Sequence, residues 1–186
     1  MGYDKIKKNK KHNLFIDGER IYLRELRFSD VNRNYCNWMK DLEVTQYLES
    51  RFERWTIKKL RDYVRKIKNS PDYLFLAIIS KYNNKHVGNI KIGPINRIHK
   101  FSDIGIIIGE KRFWGKGFAT EAIKLVVEFC FAKLKLHKVT AGVYSNNIGS
   151  IKAFKKAGFS IEGIRKKQYL YKGNYIDGII LGIIRK

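Results

Sequence analysis

Apolar positions along this chain change period several times, and each change marks an element. From Gly18 to Leu26, Ile21 and Leu23, with Leu26, alternate with Tyr22, Arg24 and Glu25, the period of a strand. A helix follows to about Lys40, with Ser29 or Asp30 placed to cap it. Asp41 to Arg54 is polar, aromatic and less periodic. Thr56 caps an amphipathic helix with Ile57, Leu60, Val64 and Ile67 on one face, ended by Asn69-Ser70-Pro71-Asp72. Tyr73 to Ile79 reads as an apolar strand, Tyr82 to Lys85 as a hairpin turn, and His86 to Ile92 as the partner strand. Pro94 to Lys100 reads as a loop. Ile104 to Ile108 is a short β-branched run, hence a buried strand. Ala119, Ala122, Ile123, Val126, Val127, Cys130 and Leu134 recur at helical spacing. Lys138 to Tyr144 alternates through Val139, Ala141 and Val143, and a right-handed crossover sets it parallel to Ile104–Ile108. Asn147 caps a helix that buries Ile151 and Phe154 and stops at Gly158. Ser160 to Tyr171, a turn at Lys172-Gly173-Asn174, and Ile176 to Ile184 close the chain. Strands joined by short turns, then strand–helix–strand, argue a mixed α/β sheet.

The junction between the buried strand and the long helix carries the most chemistry. It reads Arg112-Phe113-Trp114-Gly115-Lys116-Gly117. A glycine turn that opens a helix presents free backbone N–H groups at a positive helix end, a site for an anion and most often a phosphate. The nucleotide-triphosphate version of such a turn needs four residues between its first Gly and Gly-Lys-Ser/Thr. Here five residues separate Gly109 from Gly115, and Gly117 follows Lys116. The dinucleotide version needs a glycine where Thr120 stands. The remaining version, Arg/Gln-x-x-Gly-x-Gly/Ala, is matched in full. On these residues the chain resembles the GNAT superfamily of acetyl-CoA-dependent N-acetyltransferases, in which this turn binds the coenzyme A pyrophosphate. Asn147-Ile148-Gly149-Ser150, followed by Lys156-Ala157-Gly158-Phe159, is similar to a second segment of that family, at the right distance and in the right order.

The resemblance covers about residues 18 to 186 and implies a GNAT-like fold: a mixed, mostly antiparallel twisted sheet, flanked by helices, with one splayed parallel strand pair. It implies acetyl transfer from acetyl-CoA to a primary amine by direct attack in a ternary complex. Backbone groups from Arg112 through Phe113, Trp114, Gly115, Lys116 and Gly117 to Phe118 would hold the pyrophosphate. A backbone N–H near Ile107 or Ile108 would serve the oxyanion, and Asn147 the pantetheine arm. Many family members carry a tyrosine where this chain has Phe154, which cannot donate a proton. Ser150 matches the donor position of the type that acetylates ribosomal-protein N-termini, and Tyr144 is a second candidate. The glutamate base of that type falls on Tyr169. Asp103, Glu49, His99 and Glu110 remain as bases. Glu49 and Arg51 lie in the segment that covers the acceptor site in the family, so both are candidates for substrate binding.

The chain has 186 residues and a formal net charge of +22. That length suits one domain. The Lys-rich lead Met1 to Asn13, and residues 1–17 as a whole, read as a flexible basic tail before a domain at 18–186. No apolar run has membrane-spanning length, and no signal-peptide stretch is present. Cys36 and Cys130 read as reduced core thiols of a cytoplasmic protein, and neither the cysteines nor the histidines have metal-ligand spacing. The charge is scattered, without aromatic interleaving, so nucleic-acid binding is a weaker reading than attraction of a polyphosphate ligand. The run His86 to Asn96 with Asp103-Ile-Gly is similar to a bacterial GNAT group associated with amino-sugar acetylation. That ranks a nucleotide-linked amino sugar first, its diphosphate suited to Lys91, Arg97 and Lys100. A protein N-terminus ranks second and a polyamine third, since a cation sits badly on so positive a protein. A coenzyme-A-binding module without transfer activity is the alternative of another class. A homodimer is compatible with the sequence.

Overall fold

The computed structural model describes residues 14–186; the lead 1–13 lies outside the described residues. Eight strands form one sheet in the order β1-β2-β3-β4-β5-β6-β8-β7. They are β1 (Phe15–Asp17), β2 (Ile21–Glu25), β3 (Leu74–Ser80), β4 (Lys85–Asn96), β5 (Phe101–Ile108), β6 (Lys138–Tyr144), β7 (Ser160–Tyr171) and β8 (Asn174–Ile184). All neighbours are antiparallel except β5 and β6. The helices are α1 (Arg33–Lys40), α2 (Leu42–Thr45), α3 (Ile57–Asn69), α4 (Phe118–Ala132) and α5 (Ile148–Lys156).

Strand β3 shows how the layers are built. Leu76 and Ile78 face one core with α4 and α5, while Phe75, Ala77 and Ile79 face a second core with α1 and α3. A strand buried on both faces has no polar side to alternate with, which is why its sequence is a continuous apolar run. The first core takes Ala122, Ile123, Val126, Val127 and Cys130 from α4 and Phe154 from α5. Phe154 thus fills core against Phe159, their ring centroids 5.0 Å apart.

Several boundaries differ from the sequence reading. β1 pairs with β2 inside the stretch read as tail. The cap of α1 is Asn32, whose side chain accepts from the Tyr35 N–H at 3.2 Å. Ser29 and Asp30 lie in a 3-10 turn, because the Asp30 carboxylate takes both Arg24 Nη atoms at 2.7 Å and the Arg27 N–H. β4 runs on through Pro94 to Asn96; the register shifts between Ile92 and Ile95, and a proline is tolerated at such an irregularity. Thr56 and Asn147 cap α3 and α5 as the pattern requires.

Candidate active site

The site begins where two parallel strands part. β5 and β6 pair only through Phe101–Lys138, Ser102–Val139 and Asp103–Thr140. Beyond that step β5 stays on β4 and β6 stays on β8, so Ile104–Ile108 and Ala141–Tyr144 border an open slot. The hydrogen-bond alternation of an antiparallel ladder decides which backbone groups face it. The Gly109 N–H bonds Val87 O at 2.9 Å, so the odd residues of β5, Ile107 included, pair with β4. The even residues, Ile106 and Ile108, turn their N–H and C=O to the slot. Of the two residues named for an oxyanion donor, only Ile108 is therefore suitably turned. Its carbonyl accepts the Trp114 indole N–H at 2.7 Å.

At the top of β5 the chain makes the glycine turn. Phe113 and Phe118 are buried edge-to-face, 4.7 Å between centroids, and anchor the turn by their side chains. Gly115 and Gly117 have φ of +70° and +81°, a region that disfavours other residues. A Cβ on Gly115 would have no atom within 4 Å. The first bond of α4 runs from the Glu121 N–H to Gly117 O at 3.0 Å. The amides of Phe118, Ala119 and Thr120 are thus left over at the positive end of a 15-residue helix. The turn is braced from behind by Arg20, a residue that the six-residue pattern does not contain. Its Nη1 donates to Lys116 O at 2.7 Å, while its Nε donates to Glu121 Oε2 at 2.9 Å and its backbone N–H to Oε1 at 2.8 Å. Arg112 lies 3.5 Å from the Glu110 carboxylate and over the Phe113 ring.

Turn and slot open into one cleft of about 430 Å³. Its walls include Ile106–Ile108, Phe113–Gly115, Asn147 at the cap of α5, Ser150 of α5, and Gln46, Tyr47 and Leu48. The Asn147 side chain accepts the Ser150 N–H at 3.2 Å, so it is also a helix cap. Tyr47, to which the sequence analysis gave no role, brings a phenol into this cleft. Its hydroxyl donates to Asn146 O at 3.4 Å. Its ring stacks on Tyr171 at 5.5 Å, and Tyr171 donates to Gln46 Oε1 at 2.8 Å. Burial foremost, then the neighbouring Tyr171 phenol, raise the Tyr47 pKa above the ordinary phenol value.

The structure brings Tyr144, Glu49 and Arg51 together beside the cleft. The Tyr144 hydroxyl donates to Glu49 Oε1 and accepts from Arg51 Nη1 at 2.7 Å. Arg51 also donates to Leu48 O and Leu170 O. Tyr144 is 5 % exposed, stacked on Tyr169 at 4.0 Å, and none of the three lines the cleft. Burial and the Glu49 hydrogen bond raise its pKa against the opposing Arg51. This trio pins the 49–52 turn to β6 and β7. Asp103 accepts the Thr140 hydroxyl at the last paired step, four residues down β5 from Ile107, about 13 Å away at strand rise. Glu110 accepts the Trp38 indole N–H at 3.2 Å, outside the cleft lining. His99 sits in the β4–β5 turn, at the far end of β5. Arg97 pairs with Asp72, and Lys91 lies over Tyr73.

Residues 20–160 match the family model described as "Acetyltransferase (GNAT) domain". The chain is 30% identical over 179 residues to "Probable N-acetyltransferase YjcK" of Bacillus subtilis (strain 168), covering 91% of this chain and 96% of that protein. It is 31% identical over 103 residues to spermidine N(1)-acetyltransferase of Escherichia coli (strain K12), 55% of each chain. The fold superposes with TM-score 0.79 on spermidine N-acetyltransferase from Vibrio cholerae, a structure in complex with CoA and spermine, at 24% identity over 89% of this chain and 95% of that one. Among the described residues no helix is long and apolar enough to cross a membrane. The divided strands, the glycine turn and these likenesses agree: the chain belongs to the GNAT family of N-acetyltransferases and is an acyltransferase.

Proposed function

We propose that the protein transfers the acetyl group of acetyl-CoA to a small cationic primary amine of the polyamine class. The observation that carries the transfer reading is the slot between β5 and β6 running into the unpaired amides of Phe118–Thr120. These groups fit the coenzyme. The amides and the open side of Gly115 suit a pyrophosphate, and the slot-facing backbone of Ile106 and Ile108 suits the amides of a pantetheine arm. Acetyl-CoA supplies the activated acyl group; the N–H of Ile108 serves as hydrogen-bond donor to the developing oxyanion.

Among acceptors, we place a polyamine ahead of a sugar nucleotide. Arg51 gives its N–H groups to Leu48, Tyr144 and Leu170, and Arg97 gives its own to Asp72 and Pro71. Neither is disposed to hold a sugar diphosphate. Tyr47 lines the cleft, stacked on Tyr171, and beside the cleft stand Tyr144, Tyr169 and the Glu49 carboxylate, which accepts from Tyr144. Tyrosine faces and a carboxylate attract an ammonium. The similarity to spermidine N(1)-acetyltransferase points the same way.

Thiol release from acetyl-CoA, measured with spermidine, spermine, putrescine, a nucleotide-linked amino sugar and an N-terminal peptide, tests this. The polyamines should lead in kcat/KM by at least about tenfold, the discrimination of one well-placed charged contact. A lead for the amino sugar or the peptide would overturn the acceptor class, and no release with any amine would overturn the transfer.

A further inference from the structure

We infer that Tyr47 is the proton donor to the departing coenzyme A sulfur, in place of the phenol that Phe154 cannot supply. This rests on the acetyl-transfer reading. Three observations carry it. Phe154 is buried in the α4 core against Phe159, so the position that could hold a phenol on α5 has left the cleft. Tyr47 lines the same cleft, and its hydroxyl meets the carbonyl of Asn146, next to the cap of α5. That bond, at 3.4 Å, is long for O–H···O, so the proton is easily redirected to a better acceptor. The remaining phenols near the cleft are otherwise placed: Tyr144 donates to Glu49 and Tyr171 to Gln46. Lys152 and Lys156 also line the cleft, two and six residues beyond Ser150 along α5. Ser150, the donor indicated by sequence, shares the cleft with Tyr47, but an aliphatic hydroxyl is a far weaker acid than a phenol.

The step balances without another reactant. The neutral amine attacks the thioester carbonyl, forming the C–N bond and an oxyanion. As the carbonyl re-forms the C–S bond breaks, and its electron pair goes to sulfur. Tyr47 gives sulfur its phenolic proton, so the thiol leaves neutral. The proton that the nitrogen sheds on becoming an amide restores the phenol. Burial favours the protonated phenol, the form the step requires.

The test is Tyr47→Phe, which keeps the ring on Tyr171 and removes only the hydroxyl. Expected are a fall in kcat of about 100-fold with the acetyl-CoA KM within about twofold, as for loss of a general acid. A binding readout accompanies it. The wild type should prefer coenzyme A over desulfo-coenzyme A by about threefold, and Tyr47→Phe should lose that preference, since one hydrogen bond to sulfur is removed. If the wild type releases thiol and Tyr47→Phe retains kcat within about threefold, or keeps the preference, the role of Tyr47 is overturned and the transfer reading stands. A large loss in Ser150→Ala with Tyr47→Phe unaffected would move the role to Ser150. If the wild type releases no thiol with any amine, both fall together.

Discussion

Glycines that look alike in the sequence do opposite work in the structure. A methyl on Gly109 would meet Trp38 Cδ2 at 2.0 Å, inside the α1–β5 contact. Gly109→Ala should therefore cost about 3 kcal/mol of stability, in the range of overpacked cores, read as a shifted urea midpoint. A methyl on Gly115 meets no protein atom, and its φ of +70° costs a side chain only about 1–2 kcal/mol. It would instead occupy the open side of the anion turn. Gly115→Ala should fold, with coenzyme A affinity down about tenfold by calorimetry, the equivalent of one lost charge-assisted hydrogen bond. Unchanged affinity would mean that the anion lies elsewhere. The motif made Gly115 and Gly117 legible in the sequence, because spacing alone specifies that turn. Tyr47 was not legible. It meets Asn146 across 99 positions of chain, and nothing local distinguishes it from the other tyrosines.

Elements were legible where one local signal dominated and were misread where two competed. Thr56 stands alone before α3 and caps it. Before α1, Ser29, Asp30 and Asn32 are rival caps, and the pairing of Asp30 with Arg24 of β2 decides for Asn32. Pro94 reads as the end of a strand, yet β4 continues because the register shifts there. The turn at Lys172-Gly173-Asn174 announces the β7–β8 hairpin, but the insertion of β8 beside β6 is long-range pairing that no local pattern encodes. β4 also carries a partly buried titrating group. His86 packs against Tyr35 and Trp38 of α1, with its Nε2 2.8 Å from Asn89 Oδ1. The charged groups facing it are Asp30 and Arg24, with Lys85, Glu110 and Arg112 around the opening beside it. Burial lowers its pKa below the usual 6.5, and the opposing pull of Asn89 and Asp30 does not reverse this. The sign follows directly. With the folded pKa below the unfolded one, the unfolded chain binds more protons between them, so stability is full above about pH 6.5 and is lost as pH falls through the folded value. The melting temperature should drop from pH 7.5 to 5.5, and His86→Gln should flatten that drop. An equal drop in the variant would remove His86 as its source.

At the scale of the whole molecule, the charge of +22 and the cationic acceptor proposed above pull against each other. On net charge alone polyamines rank last, but a net charge says nothing about which charges stand at the site. Tyr47 lines the cleft and Glu49 stands beside it, with the Arg51 guanidinium held on Tyr144 and two carbonyls. The contact chemistry suits an ammonium while the far field repels it. The same far field draws in the anionic coenzyme. Salt screens charges beyond about 10 Å at 0.1 M and leaves close contacts nearly intact. The two substrates should therefore respond in opposite directions. Between about 30 mM and 500 mM salt, the acetyl-CoA KM should rise about threefold as long-range attraction is screened. The polyamine KM should fall about twofold as repulsion is screened, with kcat unmoved. Initial rates in a two-substrate matrix at each salt concentration give both constants. If the polyamine KM instead rises with salt, the acceptor is guided by local carboxylates over a longer range than the net charge. The basic surface would then act on the coenzyme alone.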